Sequence, residues 1–386
     1  MLPAPHIPGD GKHMSHTTAR NLALMAALLS GFPAAATAQD INQDNTAYGT
    51  TSAEFLLFGA GARGTALGGA FSAIATDVSA MYYNPAGLAL MPRAGAMIGT
   101  YDYVADTRYS WGGLAFPFSG GSRAIGIQIG TYGFKDQQVY TVEQPEGTGS
   151  VYSVSETFAG LTFSQNFSDR FSAGVTAKGI FDNLGRASGQ AFAIDFGTNF
   201  HASLSGHPVR FSFVVANLGT NLSYSGEALE ADTPRDPIPG EPDVPSNDQP
   251  SQFRTTGYNL PTIFRVGLAY DLITGDNNRL TLISDFNQPN NNGAGFSAGG
   301  EWMSERLGGS NFGFAVRGSY SYSAANNLDP VDPNTTALGD EENLQGLAFG
   351  GGLNYGSGNF NLGLDYAWKY LGVLGGTNFF SVSLGW

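Results

Sequence analysis

No cysteine occurs in the 386 residues, so neither disulfides nor thiolate metal sites are available to this fold. Charge is also scarce. Asp, Glu, Lys and Arg make up 13% of the chain, against about a quarter in a usual soluble domain. Past residue 40 there is no run of about 18 apolar residues, which excludes a helical membrane span. Positive charge is the scarcer sign. A net charge of −14 leaves no basic surface to displace counterions from a phosphate backbone, so no nucleic-acid partner is expected.

What the chain does have is 54 Gly, 27 Phe, 17 Tyr and 4 Trp. Many glycines and rings, few charges and no long apolar run fit a transmembrane β-barrel with an apolar outside and a polar inside. The N-terminal stretch reads as an export signal over residues 1–38, with Met14 the better start. Arg20 gives a basic beginning, Leu22 to Gly31 an apolar core too short to span a bilayer, and Ala36-Thr37-Ala38 a small-residue cleavage site. The division that follows is a plug segment at 39–93 and an outer-membrane barrel at 94–386.

From residue 94 onward, short alternating segments are separated by turn residues. Phe264, Val266, Leu268 and Tyr270 alternate with Arg265, Gly267, Ala269 and Asp271, and Phe360, Leu362, Leu364 and Tyr366 alternate with Asn361, Gly363, Asp365 and Ala367. Successive strand residues point to opposite faces, so each segment offers one lipid-compatible face and one polar or small face. A soluble sandwich has the same period, but the export signal and the aromatic residues near strand ends favour a membrane barrel. Fourteen strands are predicted, at 94–104, 108–118, 123–133, 153–166, 171–181, 190–200, 209–217, 261–272, 279–288, 294–303, 311–322, 346–356, 359–368 and 377–386. The fold class is thus all-β, an antiparallel transmembrane barrel with a small N-terminal helical plug.

Long connections at 134–152, 218–260 and 323–345 fall on one end of this barrel and tight turns on the other, as bacterial barrels require. The 218–260 loop carries six Pro and a run of acids and is predicted to be mobile. The acids Asp329, Asp332, Asp340, Glu341 and Glu342 lack a Gly-punctuated ligand spacing, so a solvated acidic loop is the better reading than a calcium site. The last residues Phe380, Val382, Leu384 and Trp386 alternate as a closing strand must, one that pairs with the first to abolish the sheet edge.

Motifs of catalysis are poorly supported. Gly59, Gly61 and Gly64 have dinucleotide-loop spacing without the βαβ unit around it. Gly295-Phe296-Ser297-Ala298-Gly299 looks like a nucleophile elbow, but Ser297 falls mid-strand, far from His201 and His207. No enzyme activity, cofactor or metal is expected. More telling are charges that alternation turns toward the lumen: Lys178, Asp195, Arg265, Asp285, Glu301, Arg317 and Asp365. On the lipid face each would cost about 2–4 kcal/mol near the midplane. Opposite signs across a lumen can pair or anchor a plug, with Arg63 a candidate partner for one of the acids.

The plug segment lacks strand alternation and is rich in small residues. It contains Gly59-Ala60-Gly61-Ala62-Arg63-Gly64, Gly68-Gly69-Ala70-Phe71 and Asn84-Pro85-Ala86-Gly87-Leu88, with Pro85 holding Asn84 extended. In these blocks, and in Asn217-Leu218-Gly219, Phe264 to Tyr270, Asp285-Phe286-Asn287 and Leu364-Asp365-Tyr366-Ala367, the chain resembles the PorV/PorQ family of outer-membrane proteins, within the wider FadL-like group. The resemblance implies a fourteen-strand barrel with a periplasmic-side plug, whose motif residues here are Arg63, Gly68, Gly69, Asn84, Pro85 and Gly87. For PorV-like members it implies type IX protein secretion and cargo handling at the cell surface, and for FadL-like members uptake of hydrophobic small molecules. Expected partners are outer-membrane lipid and lipopolysaccharide, the barrel-assembly machinery, and secretion-system components with secreted proteins.

Overall fold

A computed structural model describes residues 49–233, 249–323, 346–358 and 360–386. The export signal and the loop acids at 324–345 lie outside the described residues, as do Asp236, Glu241, Asp243 and Asp248 of the 218–260 loop. Fourteen antiparallel strands close into a ring: β1 Gly95–Asp102, β2 Arg108–Phe118, β3 Arg123–Gln138, β4 Val151–Ser168, β5 Phe171–Leu184, β6 Ala187–Leu204 and β7 His207–Gly219 form one half. The other half is β8 Ile263–Thr274, β9 Asn278–Pro289, β10 Gly295–Ser304, β11 Phe312–Ser323, β12 Leu347–Ser357, β13 Phe360–Tyr370 and β14 Gly376–Gly385. The seam is β1 on β14, running from Gly95 opposite Gly385 to Tyr101 opposite Phe379, so no edge is left unpaired.

The two-residue rhythm sorts the side chains as barrel walls require. Ile98, Ile127, Leu161, Phe213, Val316, Leu364 and Val382 are exposed on the outside, while their neighbours Met97, Gln128, Thr162, Ser212 and Arg317 are buried inside. Tyr270, expected outside, is instead covered: His207 stacks on its ring at 5.6 Å between centroids.

Strands β3 to β6 are longer than their sequence signal, at 16, 18, 14 and 18 residues. A tilted membrane strand needs only about 9–11, so these hairpins stand beyond the wall on the long-loop side. The connection predicted at 134–152 is therefore shortened to 139–150, and the added strand is held by cross-strand contacts such as Phe134 on Tyr152, whose ring centroids lie 5.9 Å apart. Likewise the 182–189 connection shrinks to a turn at Gly185 and Arg186. The described parts of the 218–260 loop are also ordered. Ser223–Ser225 pairs with the top of β6, and Glu230–Thr233 with Gln249–Gln252.

Ahead of β1 the chain fills the lumen. It starts at the long-loop end, where Thr51 bridges Asn259, and reaches the short-turn end at Pro85–Leu90. Among the described residues ahead of β1, helix is limited to α1 (Ala62–Ala66), α2 (Ala80–Tyr83) and 3-10 turns at Glu54–Leu57 and Pro85–Leu90. The plug thus runs from the loop end to the short turns, where the resemblance implied one on the periplasmic side alone. Its small residues pack without leaving surface, and Ala60, Ala62, Ala66, Ala70, Ala73 and Ala80 are all fully buried.

Candidate functional site

Arg63 on α1 is the centre of a buried ion cluster. Its Nε and Nη2 donate to the two Glu301 oxygens at 2.8 Å each, and Nη1 to Asp77 at 2.9 Å. Arg317 donates to Glu301 at 2.7 Å and to Asp365 at 2.6 Å. Glu301, Arg317 and Asp365 sit at inward registers of β10, β11 and β13, so three wall strands hold one plug residue. With both arginines on it, the Glu301 carboxylate is paired and hydrogen-bonded on each oxygen, the condition for burying charge without large penalty.

The other inward charges form separate groups. Lys178 on β5 pairs with Asp195 on β6 at 2.8 Å and also donates to Asn217. Asp195 sits at a register shift between β6 and β7, where its carboxylate takes the Asn217 N–H at 2.7 Å. Asp285 on β9 accepts the Ser72 N–H at 3.1 Å. Arg265 on β8 lies over the Tyr82 ring, 5.7 Å from its centroid. Burial pushes the Tyr82 phenol up to about 12, with Arg265 working against it, so this ring stays neutral.

The short-turn half of the plug is seated by close approach. Asn84 accepts the Ala86 N–H and donates to the carbonyls of Ser72 and Thr198, tying plug to plug and plug to β6. Pro85 rests on two wall glycines. A Cβ on Gly174 would meet the Pro85 carbonyl at 2.5 Å, and one on Gly197 would meet Asn84 Oδ1 at 2.2 Å. A Cβ on Gly87 would lie 1.7 Å from the Ala75 oxygen, which no side chain can accept. Gly68 has φ +63°, and its carbonyl takes the hydroxyls of Ser297 and Ser321 at 2.9 Å each. Gly69, at φ +83°, faces open space.

Across the lumen from the ion cluster the plug meets rings. Phe58 is packed by Tyr103 at 4.9 Å, Tyr132 at 5.1 Å, Tyr109 at 5.6 Å and Tyr101 at 6.2 Å between centroids. Beside this cluster, toward the long-loop end, lies a cavity of about 410 Å³. Leu57, Tyr103, Ile263, Tyr370, Leu371 and Leu374 form its apolar part, and Arg265, Lys369, Asn287, Asn292 and the serines at 297, 321 and 323 its polar part. Next to Ile263 the wall loosens. The β7–β8 ladder ends at Ala216 opposite Ile263, and past it the strands are tied by side chains, Asn217 donating to the Pro261 carbonyl and Thr262 to that of Asn217.

The structure therefore brings together Arg63, Glu301, Arg317 and Asp365, and separately Lys178 with Asp195, and Asn84 and Pro85 with the inner wall, while Gly87 packs on Ala75 within the plug. Arg265 and Asp285 stand in neither cluster. Sequence reasoning missed Asn217, whose φ of +61° makes the wall bulge, and the hydroxyls of Ser164, Ser319 and Ser381 that hold plug backbone. An inward-register serine is the signal that could have marked them. Ser297 is a plug anchor within β10.

No protein-family model matches the chain, and no curated protein does. Among solved structures, the Pseudomonas putida toluene transporter TodX is similar at 12% identity with a TM-score of 0.50, over 84% of this chain and 96% of that one. The Ralstonia pickettii toluene transporter TbuX is similar at 12% identity and 0.49, over 86% and 98%, and a Pseudomonas aeruginosa FadL homologue at 11% and 0.44, over 81% and 94%. At such identities the likeness concerns the fold. The chain shares the fold of TodX, a closed antiparallel barrel of fourteen strands, and that closed wall with its apolar exterior is one of the bacterial outer membrane.

Proposed function

We propose that this barrel is a channel through which small hydrophobic molecules enter the cell. The observation that carries the reading is the chamber of about 410 Å³ between the plug and the long-loop end. That volume, and a lining in which leucines and tyrosines stand beside polar side chains that can orient a guest, fit a small-molecule site. The loosened β7–β8 ladder beside Ile263 supports a way from the chamber toward the bilayer. The fold neighbours TodX and TbuX are described as toluene transporters, which agrees in substrate character.

The second reading is type IX secretion. It is supported by the PorV/PorQ-like blocks at residues 59–88, and would use outer-loop surfaces, because the plug leaves the lumen too full for a polypeptide. Uptake separates the two. Cells without hydrophobic channels of their own would carry this barrel or its Leu374→Trp variant, which fills the chamber from an exposed position. The channel reading expects faster entry of labelled toluene or decanoate with the barrel and its loss in the variant. Equal entry in all cells, with secreted proteins recovered on the purified barrel, would reject it.

A further inference from the structure

At the opposite end from the chamber, the wall edge at the β4–β5 turn holds a second cavity, of about 310 Å³. Three of its polar side chains stop short of a partner. Asn166 Oδ1, Ser172 Oγ and His201 Nε2 are buried and have no hydrogen bond among the described residues. Ser172 is 2% exposed, so its hydroxyl has no easy escape to bulk water. Buried polar groups left unmade are disfavoured enough to imply that something fills the space. Arg170 and Asp169 of the turn line the same cavity, as do Gly120, Gly121 and Ser122 of the neighbouring turn.

The cavity also reaches around the edge to the outside. Phe167 and Phe171 line it, and both rings are exposed on the lipid face, 5.9 Å apart. Above them the same face continues through Phe163, Leu161 and Val175, all exposed. Apolar surface for chains therefore runs directly into a polar seat. That seat contains both kinds of partner: Arg170 and Ser172 can donate, while Asn166 Oδ1 and Asp169 can accept. An inorganic anion would use only the donors. A phosphodiester bearing an amine or hydroxyl uses all four.

We propose that this cavity is the seat of an inner-leaflet phospholipid whose headgroup ends in a hydrogen-bond donor, ethanolamine or glycerol. The phosphate meets Arg170 and Ser172, the headgroup donor meets Asn166 and Asp169, and the acyl chains lie over Phe167 and Phe171. A choline headgroup lacks the donor and fits poorly. The short turns mark this end as periplasmic, where the inner leaflet lies.

The test is crosslinking of the full barrel in nanodiscs of mixed phosphatidylethanolamine and phosphatidylcholine. A benzoylphenylalanine replaces Phe171, or Val382 on the far wall as the control. Crosslinks from position 171 should favour phosphatidylethanolamine and those from 382 should show no preference. Asp169→Ala, at the same exposed turn, should reduce that preference by about tenfold, as expected of one charge-assisted hydrogen bond, whereas Arg170→Gln should lower the crosslinking of both lipids at 171 alike. Ser172→Ala should lower the crosslinking of both lipids as well if the protein folds, with Arg170→Gln sufficient alone if it does not. Glycerophosphoethanolamine without chains should compete only weakly. Equal crosslinking of both lipids at 171, an unchanged preference in Asp169→Ala, undiminished crosslinking in Arg170→Gln, or full competition by inorganic phosphate would overturn the proposal.

Discussion

Arg63 faces a wall of carboxylates, while Phe58, a few residues earlier in the same plug, faces a wall of phenols. The first contact is made of charged forks with fixed geometry, each oxygen of Glu301 accepting from an arginine. The second is made of tilted and edge-on rings at 4.9 to 6.2 Å. Ion pairs of this kind are nearly all-or-none, because a displaced partner leaves a buried charge behind. Ring contacts vary smoothly with distance and tolerate sliding. A plug held this way is pinned on one side and yielding on the other, and the chamber adjoins the yielding side.

The largest effect is expected at the pinned side. Glu301→Gln removes the buried carboxylate that two arginines share, leaving Arg63 with Asp77 alone and Arg317 with Asp365 alone, and should cost about 3–5 kcal/mol. It would be read as a lower urea midpoint and faster proteolysis between residues 59 and 90; wild-type stability would show that the cluster does not hold the plug. Next comes Gly87→Ala, whose new methyl collides with the Ala75 carbonyl and should cost about 1–3 kcal/mol. Gly69→Ala is its control. There only the positive φ resists, at about 1 kcal/mol, and a cost equal to that of Gly87→Ala would contradict the packing argument.

At the yielding side Phe58→Ala removes ring contacts of about 0.5–1.5 kcal/mol. Its mark should be functional instead: small aromatic solutes should leak through faster in a liposome efflux assay, and an unchanged rate would make the two sides alike. Smallest of all is salt. Raising ionic strength should barely move the unfolding midpoint set by the Arg63 cluster, whereas the exposed Arg108–Asp102 pair is fully screened. A steep salt dependence would mean that the cluster is wet.

How much of this the sequence disclosed follows from which forces are local. All fourteen strands are legible because lipid outside and plug inside impose a period of two on every one. Strand ends are less so. β3 and β4 continue as a hairpin outside the bilayer, where no lipid demands apolar alternation and Phe134 with Tyr152 carries the pairing. The inward charges are legible one by one, by parity, but their grouping is not. That Arg63 meets Glu301 while Arg265 rests on Tyr82 depends on the path of an irregular segment with no period. Asn217 shows the limit most clearly, since nothing in its neighbours marks the positive φ that breaks the β7 ladder.

The central claim is that small hydrophobic molecules cross while the pinned side of the plug stays in place. A Cβ on Gly68 would lie 3.5 Å from that of Ser319 on β11, within the reach of a disulfide once the Ser321 hydroxyl turns aside, so a cysteine pair at 68 and 319 can tie plug to wall, and the chain has no other cysteine to interfere. Toluene uptake through the oxidised Gly68→Cys, Ser319→Cys barrel is predicted to match that of the reduced form. Uptake that vanishes on oxidation and returns on reduction would contradict the account, because the plug would then have to leave its wall.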